Sequence, residues 1–347
     1  MKIKKILWIS FVFVLLSFIA AASGVSQESD ELLRQARVVF QPLPSVMPSP
    51  KDNPSTPAKV TLGKMLFYER RLSASGGISC QTCHPMSTYA ADCIPKSIGH
   101  LGKINPRNAP TVLNAGFQFS QHWRGDRPSL EDQADVSLLS PFAYANVSYD
   151  EAQNRIKSIP GYWELFQKAF PGEKEPITHD NIARAISAFE RTLFSSSRFD
   201  QFLASGEKVL TDKEKKGLNV FLDTGCAACH NGALVGGMTF QKFGVVTPYW
   251  KATGSQEIDQ GRFDVTKRED DRYIFKVPSL RNVAMTAPYF HDGSVNRLDR
   301  AVKIIAEVQM GKMLSEENIS SIVSFLVSLT GNLPEEALTL PVLPPSQ

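Results

Sequence analysis

The sequence predicts a mainly α-helical protein with long loops and few, short strands. Three observations carry that prediction. Apolar residues recur at helical spacing in several stretches, strand-like alternation is sparse, and a helix–glycine–cysteine plan occurs twice in 347 residues.

The chain begins MKIKKILWISFVFVLLSFIAAASG. Lys2, Lys4 and Lys5 form a basic head, an apolar run extends from Ile6 to Ala22, and Ala20, Ala22 and Gly24 close it. This is the layout of a secretory signal peptide over residues 1–24, with an uncleaved membrane anchor as the alternative. The small closing residues favour cleavage and export. Loss of the three leader lysines takes the formal charge from +3 to 0. A nucleic-acid partner is excluded, because it would want a concentrated basic face. No later segment is long and apolar enough to cross a bilayer. Exported chains usually pair their cysteines, but five is odd, so simple pairing cannot use them all.

Residues 41–57 (QPLPSVMPSPKDNPSTP) are proline-rich and predict an extended, poorly packed arm. In VTLGKMLFYERRLSASGGISCQTCH, Leu62, Met65 and Leu66 share a helical face ahead of a glycine-rich turn. The plan returns in TDKEKKGLNVFLDTGCAACH. There Thr211 and Glu214 form a capping box, and Leu218, Phe221 and Leu222 line one face. Between the repeats, residues 178–203 predict one amphipathic helix built on Ile182, Ile186, Phe189 and Leu193. The boundary between two domains is expected at its end, giving units 25–205 and 206–347. Near the C-terminus, Ile319, Ile322, Val323 and Leu326 mark another helix, with Gly331 just past it. The tail LPEEALTLPVLPPSQ is again proline-rich.

Cys80-Gln81-Thr82-Cys83-His84 and Cys226-Ala227-Ala228-Cys229-His230 both read C-x-x-C-H, the c-type haem attachment signature. Two thiols must reach the two vinyl groups of one porphyrin, and the next residue must set an imidazole under the iron. A redox dithiol has no use for the histidine. Structural zinc needs four ligands. Cys80, Cys83, His84 and His100 could supply them, but the second motif has no fourth partner nearby. Two covalent haems c are therefore expected, in an exported protein.

With both motifs placed, the chain resembles the bacterial di-haem cytochrome c peroxidases, a family that includes the methylamine-utilisation di-haem oxidases. The likeness runs from about Leu62 to Leu329. It is carried by SIGHLGKINPRNAPTVLNAGF (97–117), QHWRGDRPSLEDQA (121–134) and DQGRFDVTKREDDRYIFKVPSLRNVAMTAPYFHDGSV (259–295). The resemblance implies two cytochrome-c-like domains, with a peroxidatic haem in 25–205 and an electron-transfer haem in 206–347. His84 and His230 match the proximal ligands. His100 matches the distal ligand that must leave before peroxide binds. Trp123 matches the bridge between the haems, and Gln133 a polar residue of the distal pocket. Asn108, Thr286 and Pro288 match inter-haem calcium ligands, the last two through carbonyls, and such oxygen donors suit Ca²⁺. The implied activity is reduction of H2O2 to water in the periplasm. A small soluble cytochrome c or a cupredoxin would donate the electrons, and a homodimer is compatible with the family.

Two positions depart from the family. Ala143, in SPFAYAN, stands where an acid–base glutamate is expected, and the next acids, Asp150 and Glu151, read as first-turn helix residues. Ile305 stands where the second haem usually takes a methionine. Met310 is the candidate replacement, although it lies roughly 140° around a helix from Ile305, and Met285 is a weaker one. His122 is an option for the missing acid–base group. His291 is expected near the second haem, His179 at a helix start, and Arg107 either at a propionate or on the surface. Cys93 is left as an inert thiol, an intermolecular disulfide or a redox sensor. Two further readings stay open: an oxidase that modifies a partner protein, and a non-enzymatic electron carrier or redox sensor.

Overall fold

The computed structural model describes residues 30–206 and 209–346, so the expected leader, 1–24, lies outside the described residues. In chain order the helices cover residues 30–39 (α1), Pro57–Tyr68 (α2), Cys80–Cys83 (α3), Leu130–Ser137 (α4), Tyr149–Lys157 (α5), Pro160–Ala169 (α6), His179–Glu190 (α7) and Arg198–Ser205 (α8). The rest are Asp212–Thr224 (α9), Tyr249–Thr253 (α10), Phe263–Thr266 (α11), Leu298–Met310 (α12), Glu316–Ser328 (α13) and Glu335–Leu338 (α14). One antiparallel ribbon pairs β1 (Phe240–Lys242) with β2 (Ile274–Lys276), Phe240 facing Lys276. Among the described residues no helix is long and apolar enough to cross a membrane.

The two halves share one packing device. α2 crosses α7 at Gly63, where an added Cβ would lie 2.5 Å from the Ala185 carbonyl carbon and 3.0 Å from Phe189 Cβ. α9 crosses α13 at Gly217, where it would lie 2.5 Å from the Ser321 carbonyl carbon and 2.9 Å from Phe325 Cβ. In each case a glycine meets a carbonyl and a phenylalanine four residues later. In each case the glycine-bearing helix precedes a Cys-x-x-Cys-His. Only hydrogen in place of Cβ lets the backbones approach this closely. The internal repeat expected from the sequence is thus visible as matched helix crossings.

Two apolar cores surround these crossings. The first gathers Leu62, Leu66, Phe67, Ile156, Phe166, Ile186 and Phe189. The second gathers Phe199, Phe202, Leu218, Phe221, Ile322 and Phe325. Each fully buried side chain of this size contributes roughly 1.5–3 kcal/mol.

The cores do not divide at 205/206. Phe199, Phe202 and Leu203 of α8 belong to the second core, as do Leu32, Ala36 and Phe40 from α1 and its end. Conversely, Ala337 of α14 is buried in the first core.

The single helix expected over 178–203 is two. Thr178 caps α7, which ends at Glu190. Ser197 then starts α8 with a capping box, Asp200 Oδ2 accepting from the Ser197 amide at 2.7 Å. Serine in the Ser195–Ser197 run favours caps over helix interior.

The arm at 41–57 is also better packed than its prolines predicted. Leu43, Met47 and Asn53 are buried. Asn53 Nδ2 donates to Glu131 Oε1 (2.7 Å) and to the Arg184 carbonyl (3.1 Å).

Candidate active site

The first motif is wound by its cap. The Ser79 amide donates to Thr82 Oγ1 at 3.0 Å, setting Cys80–Cys83 into one helical turn. Residues three apart on a helix share a side, so the two thiols face together. His84 leaves the turn, and its Nδ1 lies 3.2 Å from the Ala90 carbonyl. A carbonyl accepts only, so Nδ1 carries the proton and Nε2 keeps its lone pair for a metal. Burial pushes the His84 pKa down, and repulsion from His122 adds to this, so the imidazole is neutral, the ligating form. Cys80 Sγ stands 3.2 Å from the hydroxyl of buried Tyr144, and burial raises the thiol to about 12.

The second motif repeats the arrangement. Gly225 ends α9 with φ 92°, and Cys226–Ala228 form one tight turn. His230 Nδ1 lies 3.4 Å from the Val235 carbonyl, and burial pushes its pKa down to about 4. Gly236, at φ 120°, is required here, because a Cβ would sit 2.9 Å from His230 Nδ1.

Cys226, Cys229 and His230 line a cavity of about 480 Å³. Its walls are mostly apolar, and the thiols, the neutral imidazole and this half-open cleft fit a covalently tethered haem. Ile305 and Met310 both line it, and α12 is unbroken between them. Met310 Cε lies 3.3 Å from the Cβ position of Gly225, the neighbour of Cys226. Met285, the weaker candidate, is exposed and not part of this wall.

The segment 122–123 stands between the motifs. Both residues line the same cavity, while His122 also bears electrostatically on His84. Trp123 Nε1 donates to the Asn108 carbonyl at 2.9 Å, and the Asn108 amide donates to the His291 carbonyl at 2.7 Å. Asn108 Nδ2 donates to the Ile94 carbonyl at 3.0 Å. Thr286 and Pro288 lie on the same wall. Among the described residues no group of three or more His, Cys, Asp or Glu could hold a metal ion. A cation here would therefore rest on amide and carbonyl oxygens.

His291 is buried, stacks on Phe275 (4.4 Å between centroids) and lies 3.9 Å from Asp259. Arg107 is already engaged, at 2.6 Å from Asp259 and 3.4 Å from Asp264, so it is not an ordinary surface arginine.

His100 sits on a small hairpin, residues 97–105. The Gly99 amide donates to the Lys103 carbonyl (2.8 Å), and the Asn105 amide to the Ser97 carbonyl (2.9 Å). The imidazole is buried, and its Nδ1 has no hydrogen-bond partner among the described residues. Ser97, at the base of the hairpin, is buried and lies near the Cys83 thiol of the first motif. Gly99 abuts the next loop so closely that a Cβ would lie 2.7 Å from the Phe142 carbonyl carbon. Phe142 precedes Ala143. The 140–145 loop is thus packed against the His100 hairpin, and Ala143, where the resemblance implies a glutamate, presents only a methyl.

Asp150 and Glu151 do occupy the first turn of α5, Glu151 binding the Val147 amide and Arg155. Gln133 lies in α4, half-buried beside core residue Ala134. His179 begins α7, pairs with Asp135 at 2.6 Å and stacks on Tyr149, in service of local structure. Cys93 is exposed.

Sequence reasoning missed Lys276, a buried cation on the cavity wall, and Glu190, a buried carboxyl raised to about 8 by burial. The burial of both is set by remote packing, and only their place beside apolar neighbours hinted at it.

Two half-buried Cys-x-x-Cys-His turns, each with its imidazole anchored through Nδ1, on two matched helix crossings, define a protein of the covalent di-haem class. The family described as di-haem cytochrome c peroxidase matches residues 57–208. Cytochrome c551 peroxidase of Pseudomonas aeruginosa is 41% identical over 334 residues, covering 96% of this chain and 94% of that one. Methylamine utilization protein MauG of Methylorubrum extorquens is 34% identical, covering 93% and 92%. A solved MauG-like protein associated with microbial copper homeostasis superposes with a TM-score of 0.74 at 29% identity, over 86% of this chain and 97% of that one. The chain belongs to the di-haem cytochrome c peroxidase family.

Proposed function

We propose that this protein is an exported, periplasmic peroxidase with one haem c in each half, catalysing H2O2 + 2 e⁻ + 2 H⁺ → 2 H2O. A small cytochrome c or cupredoxin supplies the electrons. The observation that carries the reading is the matched pair of Cys-x-x-Cys-His turns with the His100 hairpin seated on the 140–145 loop. When bound, the haems supply a peroxide-reactive iron and a store for electrons. Cys80 and Cys83 tether the first haem, and Cys226 and Cys229 the second. His84 and His230, neutral and fixed through Nδ1, present Nε2 to iron. His100 covers the first site until the hairpin moves. Trp123, held by Asn108, spans the gap toward the second site. Asn108 Oδ1 with the Thr286 and Pro288 carbonyls would hold Ca²⁺, whose charge would stiffen that gap. Met310 lies on the second wall beside Gly225, where its thioether would be available to the haem iron. Gln133 is assigned to the distal pocket.

Ala143 moves no proton. General acid–base assistance is typically worth about 10²–10⁴-fold, so Ala143→Glu should raise turnover substantially. Stopped-flow mixing of the pre-reduced, calcium-loaded protein with H2O2 and reduced cytochrome c tests the reading. Oxidation of many equivalents of cytochrome per chain supports it, and absence of turnover in both the native chain and Ala143→Glu rejects it.

A second reading has its own observations. Ile305 cannot ligate, and MauG is similar along nearly the whole chain. Both fit a di-haem oxidase acting on a partner protein. A peroxide-dependent mass change in a co-purifying protein separates the two.

A further inference from the structure

Lys276 is a buried cation with no ion pair among the described residues. It ends β2, its amide bonded to the Trp123 carbonyl (2.8 Å) and the residue paired across the ribbon with Phe240. The backbone is therefore fixed from both sides. The side chain is 7% exposed and lines the cavity of Cys226, Cys229 and His230. Its ammonium donates to the amide oxygen of Gln118, a neutral group on the same wall.

No carboxylate among the described residues stands out as its partner, and burial alone pushes the amine down to about 8. The other basic groups of this wall differ. Arg281 is held twofold by Asp200 (2.6 and 2.7 Å), and Lys242 is exposed. An ammonium has three donors, and burying it unpaired is strongly unfavourable. A haem c in this cavity brings two carboxylates on the side of the ring away from its tethered vinyl groups.

We propose, on the reading of this motif as a haem c site, that Lys276 pairs with a propionate of the haem at Cys226–His230 and that its charge raises that haem's reduction potential. Reduction lowers the charge at iron by one unit, so a fixed positive charge nearby favours the reduced form. Lys276 is a positioning and tuning residue, since it acts on the iron through charge.

The test is optical redox titration of the full chain bearing both haems, with two covalent haems per chain confirmed by mass. Lys276→Gln should shift the electron-uptake equilibrium of the second haem toward the oxidised form on the order of tenfold. Lys276→Arg should stay within about twofold of the native value. Equal values in all three chains at full haem content overturn the assignment. Native protein with fewer than two covalent haems would instead strike the haem c reading.

If Lys276→Gln does not accumulate, the alkaline limb carries the test. Arginine stays charged where lysine titrates, so the potential should fall in the native chain at an alkaline pH above the value of about 8 that burial alone sets, since a propionate partner raises it, and stay level in Lys276→Arg. Burial pushes the imidazoles of His230 and His291 on this wall down, away from that range, and His122 also lines the wall. The same alkaline fall in both chains overturns the assignment.

Discussion

Gly217→Ala isolates the packing device that both halves share. The new Cβ would lie 2.5 Å from the Ser321 carbonyl carbon and 2.9 Å from Phe325 Cβ, where ordinary contact begins at 3.4 Å. α9 and α13 must therefore part by on the order of 1 Å. A gap of this size forfeits roughly a quarter to a half of each dispersion contact along the crossing. That crossing buries Leu218, Phe221, Ile322, Phe325 and Leu326. Overpacking and the lost contacts together cost about 3–4 kcal/mol. Alanine returns about 1 kcal/mol through its better helix propensity. The net loss is about 2–3 kcal/mol, read as a fall of roughly 5–10 °C in melting temperature. Thermal unfolding followed by circular dichroism and by haem absorbance measures it. Because α9 runs directly into Gly225 and Cys226, the haem signal should fall with the helix signal. A variant as stable as the native chain, or more stable, would show that propensity outweighs the contact and refute the reasoning. Gly63→Ala, at α2 and α7, should behave alike.

Asp200→Asn should cost about 3–5 kcal/mol, because it leaves buried Arg281 unpaired. Burial works to raise the Asp200 carboxyl, but Arg281 and the Leu43 and Ser197 amides outweigh it and hold it below the ordinary range. Its stabilisation is therefore present above the unfolded value near 3.9 and lost as pH falls through the folded one, so the acid limb of a pH–stability profile should flatten in the variant. Glu190 has the opposite sign. Burial raises it to about 8 against Arg191, so its contribution is present below the unfolded value near 4.3 and lost as pH climbs toward about 8. Glu190→Gln should remove that decline, gaining on the order of a few kcal/mol near pH 8 in denaturant titrations, and an unchanged slope would sink the assignment. On a Met310→Leu background, Ile305→Met should place a thioether at the second haem and suppress CO binding to its reduced form, and CO difference spectra identical to those of Met310→Leu alone would show that position 305 does not face the iron.

The attachment motifs were legible because their chemistry is local. Two thiols and an imidazole within five residues must meet one porphyrin, whatever surrounds them. The helices before each motif were legible for a similar reason, since Leu62 and Leu218 repeat at the helical period and Thr211 with Glu214 forms a capping box that the structure contains. The break between α7 and α8 was not. Phe189, Leu193 and Phe199 look like one apolar stripe, yet the cap at Ser197 turns the chain from one core to the other.

The sequence by itself determined the covalent chemistry, the repeat and the two departures at Ala143 and Ile305, because each resides in residue identity and short-range spacing. Tertiary structure alone decided which groups are buried and with whom. Asp200 meets Arg281 across 81 positions and Arg107 meets Asp259 across 152, while the proline-rich arm and tail lay Met47 and Ala337 into buried positions. Lys276 shows the difference most clearly. In the sequence it is one more charge in a basic and acidic stretch. In the fold it is desolvated on a cavity wall, and desolvation depends on every element packed around it rather than on its neighbours in the chain.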